Sequence, residues 1–313
     1  MTGTSTSVCG TGGVDCASCE PLQACTAGSC EGLPTSTGAV LFGGVDVNSA
    51  DLSDTWTWNN AAWTHLTVTG PPARSAAAVG GLGGKILLFG GFEESGVHLG
   101  DTWSWNGTAW TALTVTEPPP RSAAMMAPLG ANLVLFGGYN GTTDLADTWT
   151  WNGTTWTQVT VTTAPPARDT AMMAPLGNTL VLFGGYQMGT RLGDTWIWNG
   201  STWTEATGIG PSPRVAAVMA PFTGELVLFG GWDDAEALSD TWAWNGTGWT
   251  EYGVAGPPAR SAAVMTYVNG NLVLFGGQGD TALSDTWTWN GALWHELAVT
   301  GPSARGNSMM ALP

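Results

Sequence analysis

The chain has 313 residues, including 46 Gly, 18 Pro and 19 Trp, and its 24 Asp and Glu outweigh 8 Lys and Arg to give a formal charge of −16. That balance excludes nucleic acid, whose phosphates need a basic face, and makes an anionic membrane surface an unsuitable partner; no run of about 18 apolar residues is present to cross a bilayer. With 43% apolar residues the chain can build a core, yet only 10% are charged, against about 25% in an ordinary soluble domain, which points to β-structure behind a neutral Thr/Ser/Asn/Gly surface.

Residues 1–37 stand apart. Cys9, Cys16, Cys19, Cys25 and Cys30 lie in a Gly/Ser/Thr-rich stretch without apolar periodicity. Cys16–Cys19 has the spacing of half a zinc site or a redox pair, but no second CxxC and no nearby His completes it, so no metal is expected. Dense Cys in a short, loop-rich segment more often means disulfides, and hence an extracellular or cell-envelope protein. The odd count leaves one thiol free or its partner elsewhere. Met1–Ser7 is polar and lacks a basic start and an apolar core, so an export signal is expected upstream.

From residue 38 the chain repeats itself. Phe-Gly-Gly begins at Phe42, Phe89, Phe136, Phe183, Phe229 and Phe275, at spacings of 47, 47, 47, 46 and 46. Each copy is followed by Asp-Thr-Trp (Asp54, Asp101, Asp147, Asp194, Asp240, Asp285) and a further Trp pair ending at Trp63, Trp110, Trp156, Trp203, Trp249 and Trp294. A Pro-rich link then ends in Arg74, Arg121, Arg168, Arg214, Arg260 and Arg305. Six copies of a multi-part motif in one order mean one repeat architecture.

Each period reads as four strands. In the third, Arg121–Pro128 is a small, apolar strand a, and Asn132–Phe136 is strand b, a continuous apolar run suited to burial on both faces. Gly137-Gly138 breaks strand b, and a polar loop leads to strand c, Thr148–Trp151, which alternates with period two. Asn152-Gly153 predicts a two-residue type I′ turn into strand d, with Trp149 opposite Trp156. Trp149, Trp151 and Trp156 then share one face. Three such Trp in six units account for 18 of the 19, and so aromatic a face must be covered, here by the next four-stranded unit.

The units fall at 38–66 (completed by 305–313), 74–113, 121–160, 168–206, 214–252 and 260–298. The first lacks a strand a, and the chain ends on an orphan one, Arg305–Pro313. The expected fold is therefore an all-β, six-bladed propeller of four-stranded antiparallel blades, its ring closed by the C-terminal strand so that no long edge is left open.

A double glycine after an apolar strand, with paired aromatics ahead of a final Trp, resembles the kelch repeat. The form Phe-Gly-Gly, Asp-Thr-Trp-x-Trp-Asn-Gly-x-x-Trp-Thr and Pro-Pro-x-Arg is similar to bacterial kelch proteins grouped with the galactose-oxidase central domain, over residues 38–313. The c–d turn departs from that form, with Trp-x4-Trp in place of Tyr-x6-Trp. The resemblance implies a working face, the rim formed by the b–c loops and d–a links, where some kelch propellers bind acidic peptides and others isomerise sialic acid. Fold does not carry function by itself.

On that rim the six Arg are expected near the Asp of each Asp-Thr-Trp. Bidentate pairing that ties loops together is the structural reading, and a ring that captures a carboxylate ligand is the functional one. Packing positions stay fixed among repeats while site positions drift, and the residue after Gly-Gly drifts most: Val45, Phe92, Tyr139, Tyr186, Trp232 and Gln278. Phe92, Tyr139, Tyr186 and Trp232, with Asp233 and Asp234 beside the last, are the candidate ligand-binding residues, aromatics and carboxylates suited to a neutral glycan or to a protein surface. No catalytic residue is assigned. His65 and His295 fall on outer strands and His98 in a loop, no GxSxG or HExxH occurs, and all five Cys precede the repeats, so a copper-radical oxidase is not expected. The expectation is a monomeric binding module with no cofactor and a carbohydrate or protein partner; the alternatives are a sugar-isomerising enzyme using the Arg ring and a purely structural surface module.

Overall fold

The computed structural model describes residues 38–313 and, as backbone only, two short paired strands at Ala24–Thr26 and Ser29–Glu31. The disulfide and CxxC expectations for residues 1–37 lie outside the described side chains. From residue 38 the chain forms six antiparallel sheets in the order a–b–c–d, with no helix among the described residues. The a strands contact one another around the axis.

Ring closure repeats the interior blades. Arg305–Gly306 and Met309–Ala311 pair with Ala39–Asp46 as the inner strand of the first blade. Across the closing interface, the Phe275 and Trp63 rings lie 5.1 Å apart, and Trp63 Nε1 donates to Thr286 Oγ1 at 3.0 Å. The same Phe–Trp and Trp–Thr contacts join every other pair of blades, with donor distances of 3.0–3.2 Å.

The Trp face is covered, but by the preceding blade rather than the following one: Trp151 and Trp156 pack on Leu87 and Phe89 of the second blade. The three Trp divide the work. The first, half-buried in every blade but the fourth, where Trp196 is buried, donates to its own Asp, the third donates to the Thr of the preceding blade, and the middle one is pure packing, fully enclosed at Trp58, Trp105, Trp198 and Trp289.

Three local expectations are corrected. The c–d turn is a four-residue loop, not a type I′ pair, because Trp151 pairs with Trp156 directly. Within it only Gly153 has positive φ, and Asn152 Oδ1 accepts the N–H groups of Thr154 and Thr155 at 3.0 and 2.9 Å. That side-chain-capped loop competes with the tight turn and leaves the two indoles facing each other. The register differs from the predicted one by two residues, so the Trp face is unchanged. Second, the double glycine ends strand b in the third and fifth blades only. In the other four the strand continues through it, with the register shifting between Phe and the second Gly. Third, strand a begins later than its apolar run, at Met125 rather than Arg121, because Ala123 adopts φ 52° and turns the chain out of the ladder.

Candidate functional site

Beneath the b–c/d–a rim lies a layer that is the same in every blade. Each of the six Arg is 0–1% exposed and grips the Asp of its own blade through both carboxylate oxygens; Arg168 Nη1 and Nη2 meet Asp194 Oδ1 and Oδ2 at 2.6 and 2.7 Å. Nη1 also donates to the carbonyl of Gly184 and Nε to that of Pro166, at 2.9 and 3.0 Å. Asp194 Oδ2 additionally accepts Trp196 Nε1 at 2.6 Å. Burial by itself raises the Asp194 carboxyl, but the Arg168 hydrogen bonds and charge, with Trp196, overcome it and hold the group below its ordinary value. Arg305 makes the same set with Asp54 across the ring closure.

Two residues beyond each Arg, the chain takes a left-handed conformation: Ala76, Ala123, Thr170, Ala216, Ala262 and Asn307 all have φ between 48° and 52°. Their peptide groups then face sideways and bond to one another. Ala123 N donates to Ala76 O, Thr170 to Ala123, Ala216 to Thr170, Ala262 to Ala216, Asn307 to Ala262 and Ala76 to Asn307, at 2.7–3.1 Å. This closed collar of six hydrogen bonds rings the axis and holds a conformation that non-Gly residues rarely adopt.

On the collar stand the drifting residues. The residue after each Arg pairs with the one after Gly-Gly, as Ser122 with Tyr139 and Val215 with Trp232, so Val45, Phe92, Tyr139, Tyr186, Trp232 and Gln278 encircle the mouth. Opposite each across the b–c hairpin is a second variable residue: Asp51, His98, Asp144, Arg191, Ala237 and Ala282.

The residues matched by a known family coincide with this architecture. Two overlapping segments, 33–205 and 151–312, fit the model of the KLHDC2/KLHL20/DRC7 Kelch-repeats domain. The chain belongs to the kelch-repeat family. No individual curated protein matches it. Kelch propellers are typically protein-interaction modules.

The mouth of this kelch propeller has two unlike halves. In blades two and three the side chains close on each other: His98 lies between Phe92 and Tyr139, with ring centroids 5.1 and 5.4 Å away, and its Nδ1 is 3.1 Å from Ser122 Oγ. His98 heads strand c of its blade, not a loop, and burial lowers its pKa. In blades five and six, Ala237 and Ala282 stand where the earlier blades carry Asp, His or Arg, and a depression of about 790 Å³ opens. Its floor is the collar residues Thr170, Ala216, Ala262 and Asn307, and Trp232, Gln278, Asp46 and Asp280 are among its walls.

The candidate residues therefore divide. Phe92, Tyr139, Tyr186 and Trp232 share one ring position, but only Trp232 lines the depression. Asp233 Oδ1 accepts the N–H groups of Ala235 and Glu236, which hold its carboxyl below the ordinary range and fold its own loop. Asp234 pairs with Arg191 across the blade boundary at 2.5 Å. The second variable ring, with Asp169 of the collar layer, was missed. The same drift test finds it three residues ahead of each Asp-Thr-Trp, where the aligned repeats read Asp, His, Asp, Arg, Ala and Ala.

Proposed function

We propose that this kelch propeller is a non-catalytic interaction module that receives a protein partner on its b–c/d–a mouth, outside the cytoplasm as the five Cys of residues 1–37 suggest. The observation that carries the reading is the contrast within one rim: a buried frame of Arg, Asp and collar hydrogen bonds common to all six blades supports two variable rings, so that no two blades present the same pair of side chains. Four of the large exposed hydrophobics, Val47, Val97, Met188 and Trp232, lie on b–c loops of that rim. A clustering of apolar and aromatic groups on rigid supports suits a protein interface.

A glycan is the second reading, favoured by Trp232 beside Gln278 and Asp280 in one depression. Against the sugar-isomerising alternative stands the burial of all six ring Arg, whose Nη groups already hold Asp carboxylates.

The test is affinity capture from host extracellular material with the wild-type chain, with Trp232→Ala/Tyr139→Ala, and with Leu293→Ala on the opposite rim as control, beside a broad glycan array. A protein captured by wild type and the control but not by the mouth variant supports the module. Capture indifferent to the mouth variant, or glycan binding without protein capture, overturns it.

A further inference from the structure

The depression over blades five, six and one brings an aromatic side chain and two carboxylates to one lining. Trp232 supplies an aromatic wall that is 36% exposed. Asp46 and Asp280 are the charged groups of the lining, which contains no Lys, Arg or His. Asp46 is fixed in place: its Oδ1 accepts the N–H groups of Asn48 and Ala50 at 2.8 and 3.0 Å, and these bonds keep it ionised. Asp280 is exposed. Gln278 donates its Nε2 to the Gly279 carbonyl at 3.3 Å, which leaves its Oε1 as an acceptor. Ser49, Ser261 and Thr281 also line it, beside the apolar Val45, Val215 and Ala282. The collar below is neutral, since its peptide groups are bonded to each other.

An indole face, two carboxylates and acceptor groups around one cavity are the complement of a protonated amine or guanidinium. The surroundings add to this. Of the 8 Lys and Arg, six are buried in the frame and Lys85 begins strand b of its blade, at the end away from the mouth. Arg191 is the one Lys or Arg left on the described b–c loops, and it is paired with Asp234.

We propose that this depression is a binding pocket for the Lys or Arg side chain of a basic partner segment, with the cation on Trp232 and neutralised by Asp280 and Asp46. The inference rests on the mouth being the interaction surface and names the chemistry it selects. An anionic segment meets the same carboxylates as repulsion, so the pocket discriminates by charge sign as well as by shape. The apolar Val47 beside it leaves room for an aliphatic neighbour of that cation.

The experiment is selection of random dodecapeptides displayed on phage against the full chain, followed by titration of synthetic peptides. Each Lys or Arg of a selected peptide is replaced by norleucine or citrulline, and the protein is varied as Trp232→Ala, Trp232→Phe and Asp280→Asn, all at exposed positions. The expected result is a basic residue in the selected peptides, with about tenfold weaker binding on its neutralisation, on Trp232→Ala or on Asp280→Asn, near-retention with Trp232→Phe, and weakening as salt rises from about 50 to 500 mM. Selected peptides that lack a cation but still depend on Trp232 overturn the charge inference and leave the interaction surface standing. Peptides indifferent to all three variants, or a selection that yields none, overturn both.

Discussion

Asp144 lies three positions before Asp147 in the chain, and the two belong to regions under opposite rules. Asp147 is in the frame: it holds Arg121 in a bidentate pair, and its counterpart in every blade is Asp. Asp144 is at the mouth, accepts the backbone N–H of Met188 from the neighbouring blade, and has counterparts Asp, His, Arg, Ala and Ala. The difference teaches where the fold's tolerance lies. Beneath the rim each side chain has several partners, so a change leaves buried polar groups unpaired; above it the same backbone presents side chains that answer mainly to solvent.

The comparison is broken most severely by uncoupling a frame pair. Arg168→Ala leaves Asp194 half-buried without its cation, and the expected loss in urea unfolding is about 3–5 kcal/mol. The pair also sets an acid limit. Asp194 has its ionisation shifted below that of an ordinary aspartate, so its stabilising contribution is complete above about pH 4 and is lost as pH falls through the lowered folded value. Arg168→Ala should show a smaller acid-dependent loss than the wild type, because the five other Arg–Asp pairs remain.

Trp203→Phe is a milder cut. It keeps most of the packing against Phe136 but removes the 3.1 Å bond to Thr148 Oγ1, and the expected loss is about 1–2 kcal/mol. Thr170→Gly acts in the other direction. The collar holds a β-branched residue at φ 48°, and glycine at that position is expected to raise the unfolding free energy by about 1 kcal/mol through relieved strain, seen as a higher thermal midpoint.

Asp169→Ser sharpens the boundary between the two regions. Asp169 occupies the collar layer where three other blades have Ser. Burial, with Asp144 nearby, pushes its pKa up to about 6. A raised folded pKa means a contribution that is present below 3.8 and lost as pH rises through 6. The Ser variant should therefore melt higher than wild type at pH 8, with the advantage gone near pH 3.5, by differential scanning calorimetry. Smallest of all is Trp232→Ala, whose side chain is 36% exposed; unfolding should move by less than about 0.5 kcal/mol while binding at the mouth is lost.

The period, the four strands of each blade and the shared face of the Trp triplet follow from the amino-acid sequence alone. Alternation of side chains and repetition of the unit leave little freedom in them, and an error of two residues in the c–d register does not move a side chain to the other face. The ring of drifting residues after Gly-Gly was legible for the same reason, by aligning the chain with itself. What lay beyond local pattern was decided by packing between units. The Trp face settles on the preceding blade, where each third Trp finds the Phe ring and Thr hydroxyl that suit it. The collar exists only once six blades stand in a ring, because each of its hydrogen bonds joins different repeats. The depression over blades five, six and one is lined by Ala282, at a position where four other blades carry Asp, His or Arg. Periodicity fixes which way a side chain points; only the assembled ring determines what it meets.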